Sequence, residues 1–296
     1  MASLWSAVSA TVSRVGTADP LYVLAVLGLY VVSLFITGAR WRGFLGALGG
    51  EVSLMRASLA MLGGIAAGNL TPSRIGTEPC RVALVGVTSR LTWAQVALAT
   101  GWDRLSEVPP VAVLIVMSLL SARGMATSWR STVLAVAAAV LVVAVVLGIR
   151  RARRSPTALR AWMASLQLDK VRPAVFAAGV GYSTLLWLQD VLRLACAARA
   201  VGVHLAPEQT AMLAVSQIVG GLIPSIGGLV VVEGGLVATL VAFGVDLPTA
   251  MAATAVERAI SWGFSTVAGG AVVFLMGGRS LWGLVRRGTS GAETPG

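Results

Sequence analysis

The sequence predicts an all-α polytopic membrane protein: an inverted repeat of helix, re-entrant hairpin and helix units joined by an extra transmembrane helix. Three observations predict it. Of 296 residues, 56% are hydrophobic and only 12% charged, the balance of a chain that resides in lipid. Uncharged runs of about 20 residues, enough to cross the hydrocarbon core, recur at residues 20–39, 131–149, 209–232 and 259–278. Two polar breaks, one in each half of the chain, are followed by the same kinds of charged residue in the same order.

In chain order, residues 1–19 have no basic stretch ahead of an apolar core and do not read as a cleaved signal. Leu4, Trp5, Val8, Val12 and Val15 share one helical face, so an interfacial helix is expected. Residues 20–39 form the first span, closed by Arg40, Trp41 and Arg42 as an anchor at the cytoplasmic interface. Helix resumes over 52–70, breaks between Pro72 and Pro79, and resumes over 81–89. One longer helix, 92–122, carries Asp103, Arg104 and Glu107. Residues 131–149 are an uninterrupted span followed by the most basic connector, 150–172. Residues 173–201 form a long helix with Gln189, Asp190 and Arg193 inside it. Residues 207–223 lead to the second break at Pro224, Gly227 and Gly228, then 229–244 is helical, and 248–278 is the last helix, with Glu257 and Arg258. The chain is a single membrane domain, with repeat one at 20–122 and repeat two at 173–278, because the polar ends and the connector are too short to build a core.

The duplication is visible residue by residue. Ala57-Ser-Leu-Ala60 matches Ala211-Met-Leu-Ala214, and Leu70-Thr-Pro-Ser73 matches Leu222-Ile-Pro-Ser225. Pro72 and Pro224 stand 152 residues apart, Glu78 and Glu233 155, and Arg104 and Arg258 154. A nearly constant offset over an ordered series of matches marks a repeated unit. Each broken segment, 52–89 and 207–244, is too long for one crossing and barely long enough for two, which favours re-entrant hairpins tipped at Pro72, Gly76, Pro224, Gly227 and Gly228. The span 131–149 then turns the second unit over. This arrangement puts most arginines in the cytoplasm, with the N-terminus outside and the C-terminus inside a cell inner (plasma) membrane, the plan of secondary transporters with broken helices meeting at the midplane.

Net charge is +11, and Lys170 is the one basic residue that is not arginine. The charges gather at helix ends rather than on a basic surface interleaved with aromatics, which argues against nucleic acid as a partner. Cys80 and Cys196 are far apart, without CxxC spacing, and the single histidine, His204, falls in a loop. No metal, cofactor or catalytic residue is expected. Irregular backbone at membrane depth is tolerated where protein or a water-filled cavity covers it, so the two breaks should line one polar pocket. The candidate binding residues are the ionisable groups around it: Arg74, Glu78, Arg81, Asp103, Arg104, Asp190, Arg193, Glu233, Glu257 and Arg258. Arg74 and Arg81 can neutralise Glu78 or hold a phosphate. Glu233 needs a counter-charge from Arg104, Arg193 or Arg258. Glu257 and Arg258, adjacent on a helix, point about 100° apart and should reach other helices, whereas Asp190 and Arg193 can pair locally.

Residues 72–81 (PSRIGTEPCR) with 102–107 (WDRLSE), and 222–235 (LIPSIGGLVVVEGG) with 242–245 (AFGV) and 256–262 (VERAISW), resemble the lysylphosphatidylglycerol synthase membrane-region family, the flippase-like integral membrane proteins. The resemblance covers residues 21–278. It departs at Ile226, where the family commonly has a second proline, and at Val230, where a third glycine is common. It implies translocation of an anionic or aminoacylated lipid between leaflets, without synthesis of that lipid, since no aminoacyltransferase domain is recognised in these residues. The expected partners are membrane lipids, and an oligomer fits the sequence as well as a monomer. A proton-coupled transporter of a small solute or ion is the alternative on the same scaffold, and a membrane-embedded lipid transferase is a further one.

Overall fold

The structure is a computed structural model that describes residues 2–72, 74–86, 91–121, 171–222 and 230–290. The expected connecting helix 131–149, nearly all of the basic connector, and Pro224, Gly227 and Gly228 lie outside the described residues. Within them the fold is all helix: α1 (Ala2–Gly16), α2 (Pro20–Ala47), α3 (Leu54–Asn69), α4 (Thr77–Gly86), α5 (Trp93–Leu105), α6 (Val108–Ser121), α7 (Pro173–Ala200), α8 (Pro207–Leu222), α9 (Val231–Ala242), α10 (Leu247–Arg258), a π-helical turn (Ala259–Phe264) and α11 (Ser265–Ser290). Among the described residues, Pro20–Ala47, Pro173–Ala200 and Leu247–Gly277 are long and apolar enough to cross a membrane.

Local chemistry sets the helix starts. Asp19 caps α2 by accepting from the Leu21 N–H at 2.8 Å, with Pro20 in the first position. Ser53 caps α3, and Thr92 and Gln95 form a reciprocal capping box on α5. Three boundaries differ from expectation. α2 does not stop at Ala39 but runs through Arg40–Arg42 to Ala47, because the Arg40 side chain finds acidic partners inside the protein. The helix expected over 92–122 is two helices, broken at Ser106 and Glu107. Pro109 and Pro110 lack the N–H groups that a continuous helix would need there. The last helix contains the π-helical turn, and helical backbone continues beyond Gly278 to Ser290.

The helices repeat as the sequence does. α2 and α7 each have 28 residues and start 153 apart; α3 and α8 each have 16 and also start 153 apart. α2 and α7 are each followed by a glycine with positive φ, Gly49 at 89° and Gly202 at 82°, a left-handed helix stop. These two equivalent helices pack along their whole length and run antiparallel. The Asp19 N–H donates to the Ala200 carbonyl (2.8 Å), Gln189 Nε2 donates to the Leu29 carbonyl, and Arg40 Nη1 donates to Ser183 Oγ (2.8 Å).

Each repeat has its own apolar core. In the first, Trp41, Phe44, Leu45, Met61, Val85 and Val96 are buried together; in the second, Leu194, Leu213, Leu236 and Leu240 are. A third cluster, Val26, Tyr30, Leu34, Leu62, Val256 and Ile260, joins the halves along the α2–α7 seam. In both repeats the two helices flanking the break pack against each other.

Candidate functional site

The first break is a tight hydrogen-bonded turn. Thr71 Oγ1 donates to the Ala67 carbonyl and accepts from the Gly76 N–H, both at 2.9 Å. The Ile75 N–H donates to Pro72 O (3.2 Å) and the Thr77 N–H to Arg74 O (3.1 Å). These bonds satisfy backbone groups that two broken helix ends would otherwise leave unpaired. Arg74 occupies the left-handed region at φ 55°, a conformation that costs a non-glycine residue free energy. At Gly76 a Cβ would lie 2.8 Å from both Ala67 O and Thr71 Oγ1, so only glycine fits. Asn69 fastens the break to α11, its Nδ2 donating to Ser265 Oγ and Thr266 Oγ1 at 2.9 Å each.

Behind this break three arginines and three acids alternate in a closed ring. Arg40 pairs with Asp103 (2.7 Å) and with Glu107 (2.5 Å). Arg81 joins Asp103 (2.9 Å) to Glu78. Arg104 closes the circuit between Glu78 (2.5 Å) and Glu107 (3.0 Å). Arg81 and Asp103 are fully buried and Arg40 nearly so, while Glu78 and Arg104 are partly exposed. Arg81 also lies over the Trp41 ring, 4.8 Å from its centroid.

The second repeat holds the corresponding pairs. Arg193 pairs with Glu257 (2.5 Å) as Arg40 does with Asp103, and Arg258 pairs with Glu233 (2.6 Å) as Arg104 does with Glu78. Asp190 adds a local bond to Arg193 at 3.1 Å. Arg81 and Glu107 have Leu236 and Ser261 at the matching places, so no ring forms among the described residues. Arg74 of the first repeat borders the same space as Arg193 and Arg258 of the second.

The two clusters face one cavity of about 470 Å³, within the range of small-ligand pockets. Six candidate residues line it: Arg74, Glu78 and Arg104 from repeat one, Asp190, Arg193 and Arg258 from repeat two. Arg81, Asp103, Glu233 and Glu257 do not; they pair with its arginines and with Glu78. Arg81, Asp103 and Glu257 do so from fully buried positions and Glu233 from a partly exposed one. Of the two acids that follow the breaks, Glu78 lines the cavity and Glu233 does not, pairing instead with the lining residue Arg258. Pro72 and Gly76 shape the first break without lining the cavity. Among the described residues no group of three or more His, Cys, Asp or Glu side chains is placed to hold a metal ion.

Other pairings match the expected reach of the side chains. Arg258 supplies the counter-charge of Glu233, Glu257 and Arg258 each pair away from one another, and Asp190 bonds to Arg193. Two assignments are corrected. Arg40 is no interface anchor: it is buried and bonded on three sides, and Trp41 is buried with its Nε1 donating to Thr100 Oγ1 at 3.2 Å. Arg74 does not neutralise Glu78, which is held by Arg81 and Arg104. Arg40 and Glu107 are the charged cavity residues that sequence reasoning missed. The repeat offset carries the signal for Arg40, which stands 153 residues before Arg193. Spacing carries it for Glu107, three residues after Arg104 on the same face.

Comparison with known proteins agrees with this architecture. Residues 1–269 match the family model for the lysylphosphatidylglycerol synthase TM region. A UPF0104 membrane protein of Pyrococcus horikoshii is 23% identical over 91% of each chain. A UPF0104 membrane protein of Methanothermobacter thermautotrophicus is 27% identical over 86% of each chain. No solved structure matches the chain at a significant level. The chain is a membrane protein of the lysylphosphatidylglycerol synthase TM region family.

Proposed function

We propose that this protein is a lipid translocase, not an enzyme, moving an anionic or aminoacylated phospholipid or a related lipid between leaflets. The observation that carries the reading is the charge on the cavity wall. Among the described residues, five arginines, Arg40, Arg74, Arg104, Arg193 and Arg258, line it against three acids, Glu78, Glu107 and Asp190, while Asp103, Glu257 and Glu233 pair with Arg40, Arg193 and Arg258 without lining it. Guanidinium groups present planar donor forks suited to phosphate oxygens, and a cavity of about 470 Å³ takes a headgroup while the acyl tails stay in lipid.

The antiparallel packing of the equivalent helices α2 and α7 supports an inverted repeat. Each broken segment then acts as a re-entrant hairpin, and the two enter from opposite faces. With the basic connector in the cytoplasm, the N-terminus lies outside and the C-terminus inside a cell inner (plasma) membrane. A proton-coupled transporter of a small solute is the second reading, because the cavity volume suits a small ligand equally well.

Native mass spectrometry of the purified protein separates the two. The translocase reading expects anionic or aminoacylated phospholipid enriched on the protein over its share of the source membrane. Protein free of phospholipid, together with stabilisation by a water-soluble solute, favours the transporter instead.

A further inference from the structure

The cavity end beside the π-helical turn differs from the end beside the ring. In the ring every guanidinium contacts two carboxylates. At the other end Arg258 pairs with one, Glu233, through Nε, its Nη1 stands 3.5 Å from Ser261 Oγ, and its Nη2 is buried with no hydrogen-bond partner. The residue is only 7% exposed, yet it lines the cavity. An unsatisfied donor on a buried cation is costly unless a ligand completes it.

Arg74, from the opposite repeat, lines the same cavity. Arg74 is itself exposed, so one cation from each repeat borders the same water-accessible cavity. Glu233, which pairs with Arg258, and Glu257, which pairs with Arg193, do not line the cavity. Irregular backbone places both arginines. Arg74 is held at φ 55°, and Arg258 ends α10 where the π-helical turn Ala259–Phe264 begins. Such single π turns are frequent at functional sites.

We infer that Arg74 and Arg258, with Ser261, form an anion subsite that takes one phosphate group and joins the two repeats through it. The phosphate oxygens accept from both guanidinium groups, satisfying Arg258 Nη2. The inference rests on the translocase reading only for the source of the phosphate, a lipid headgroup; a free phosphate ion has the same chemistry.

The test uses the full chain in detergent micelles, titrated calorimetrically with dihexanoyl-phosphatidylglycerol in one arm and inorganic phosphate in the other. Arg74→Gly keeps the left-handed backbone comfortable while deleting the cation. The double variant Arg258→Gln with Glu233→Gln deletes the pair without orphaning a buried charge. Arg42→Gln, on an exposed side chain outside the cavity, controls for general loss of positive charge. Binding of either probe that weakens about tenfold or more in both cavity variants and holds in Arg42→Gln supports the subsite. The stronger probe identifies the source. No binding of either probe, or binding unchanged in Arg74→Gly, overturns it, as does equal weakening by Arg42→Gln. Arg74-dependent phosphate binding by a protein that moves no lipid would retain the subsite and remove the translocase. Lipid movement unaffected by both cavity variants would do the reverse.

Discussion

Arg40 shows what a single buried cation does here. It donates to Asp103, Glu107 and Ser183, so Arg40→Ala would leave two acids short of a partner and cut a link between the repeats. Removing one member of a buried ion pair costs about 3–5 kcal/mol. Arg104→Ala, at the exposed rim of the same ring, should cost about 1 kcal/mol or less. Thermal unfolding in detergent should rank the two in that order, and equal losses would mean that the ring is not a buried network. Gly76→Ala forces a methyl against Ala67 O and Thr71 Oγ1 and should cost about 1–3 kcal/mol by the same measurement. Residue identities at the site were partly legible. Glu78, Arg104, Glu233 and Arg258 announce themselves as ionisable groups in apolar sequence. Arg40 was hidden by its neighbours, because Arg-Trp-Arg after an apolar run has the composition of an interface anchor and only tertiary packing reveals that one of the two arginines turns inward.

At the scale of elements, α1 depends on one contact region. It packs on α10, where Arg14 contacts Thr249 and pairs with Asp246 at 3.3 Å, and Asp246 caps α10. Trp5, Val12 and Val15 remain exposed on the other side, as an interfacial helix requires. The Thr249 hydroxyl, then its N–H and the Arg14 charge, hold the Asp246 carboxyl below its ordinary value. A depressed carboxyl stabilises the fold above the unfolded pKa of about 3.9 and loses that contribution as pH falls through its lower folded value. Hydrogen exchange should therefore show α1 protected at neutral pH and loosened as Asp246 takes up a proton. Asp246→Asn should abolish that acid step. Exchange in α1 that is already complete at neutral pH would contradict the docking. Helix existence was legible from apolar runs, whereas internal boundaries were not. The break at Ser106 and Glu107 is marked only by Pro109 and Pro110 just beyond it, which a reading by apolar runs passes over, and the π-helical turn carries no proline or glycine pair to mark it.

For the whole molecule, duplication is the feature that sequence and structure share most fully. Offsets of 152 to 155 residues between motifs become equal helix lengths, matched glycine stops and matched ion pairs, Glu78–Arg104 with Glu233–Arg258 and Arg40–Asp103 with Arg193–Glu257. The makeup of the cavity between the clusters is not legible in the sequence. Which charges face it depends on depth behind the wall, which a helical period does not encode. The symmetry is also incomplete. Among the described residues the ring exists in repeat one alone, so the two ends of the cavity are chemically distinct. A path with unlike ends suits a headgroup that enters from one leaflet and leaves through the other. The most direct measurement is translocation itself, in proteoliposomes holding the purified protein and a panel of headgroup-varied phospholipids, each fluorescently labelled on an acyl chain, with the outer leaflet bleached chemically. The account predicts protein-dependent movement of at least one anionic or aminoacylated lipid, lost in Arg258→Gln with Glu233→Gln. Bleaching kinetics equal to those of empty liposomes across the whole panel would contradict it.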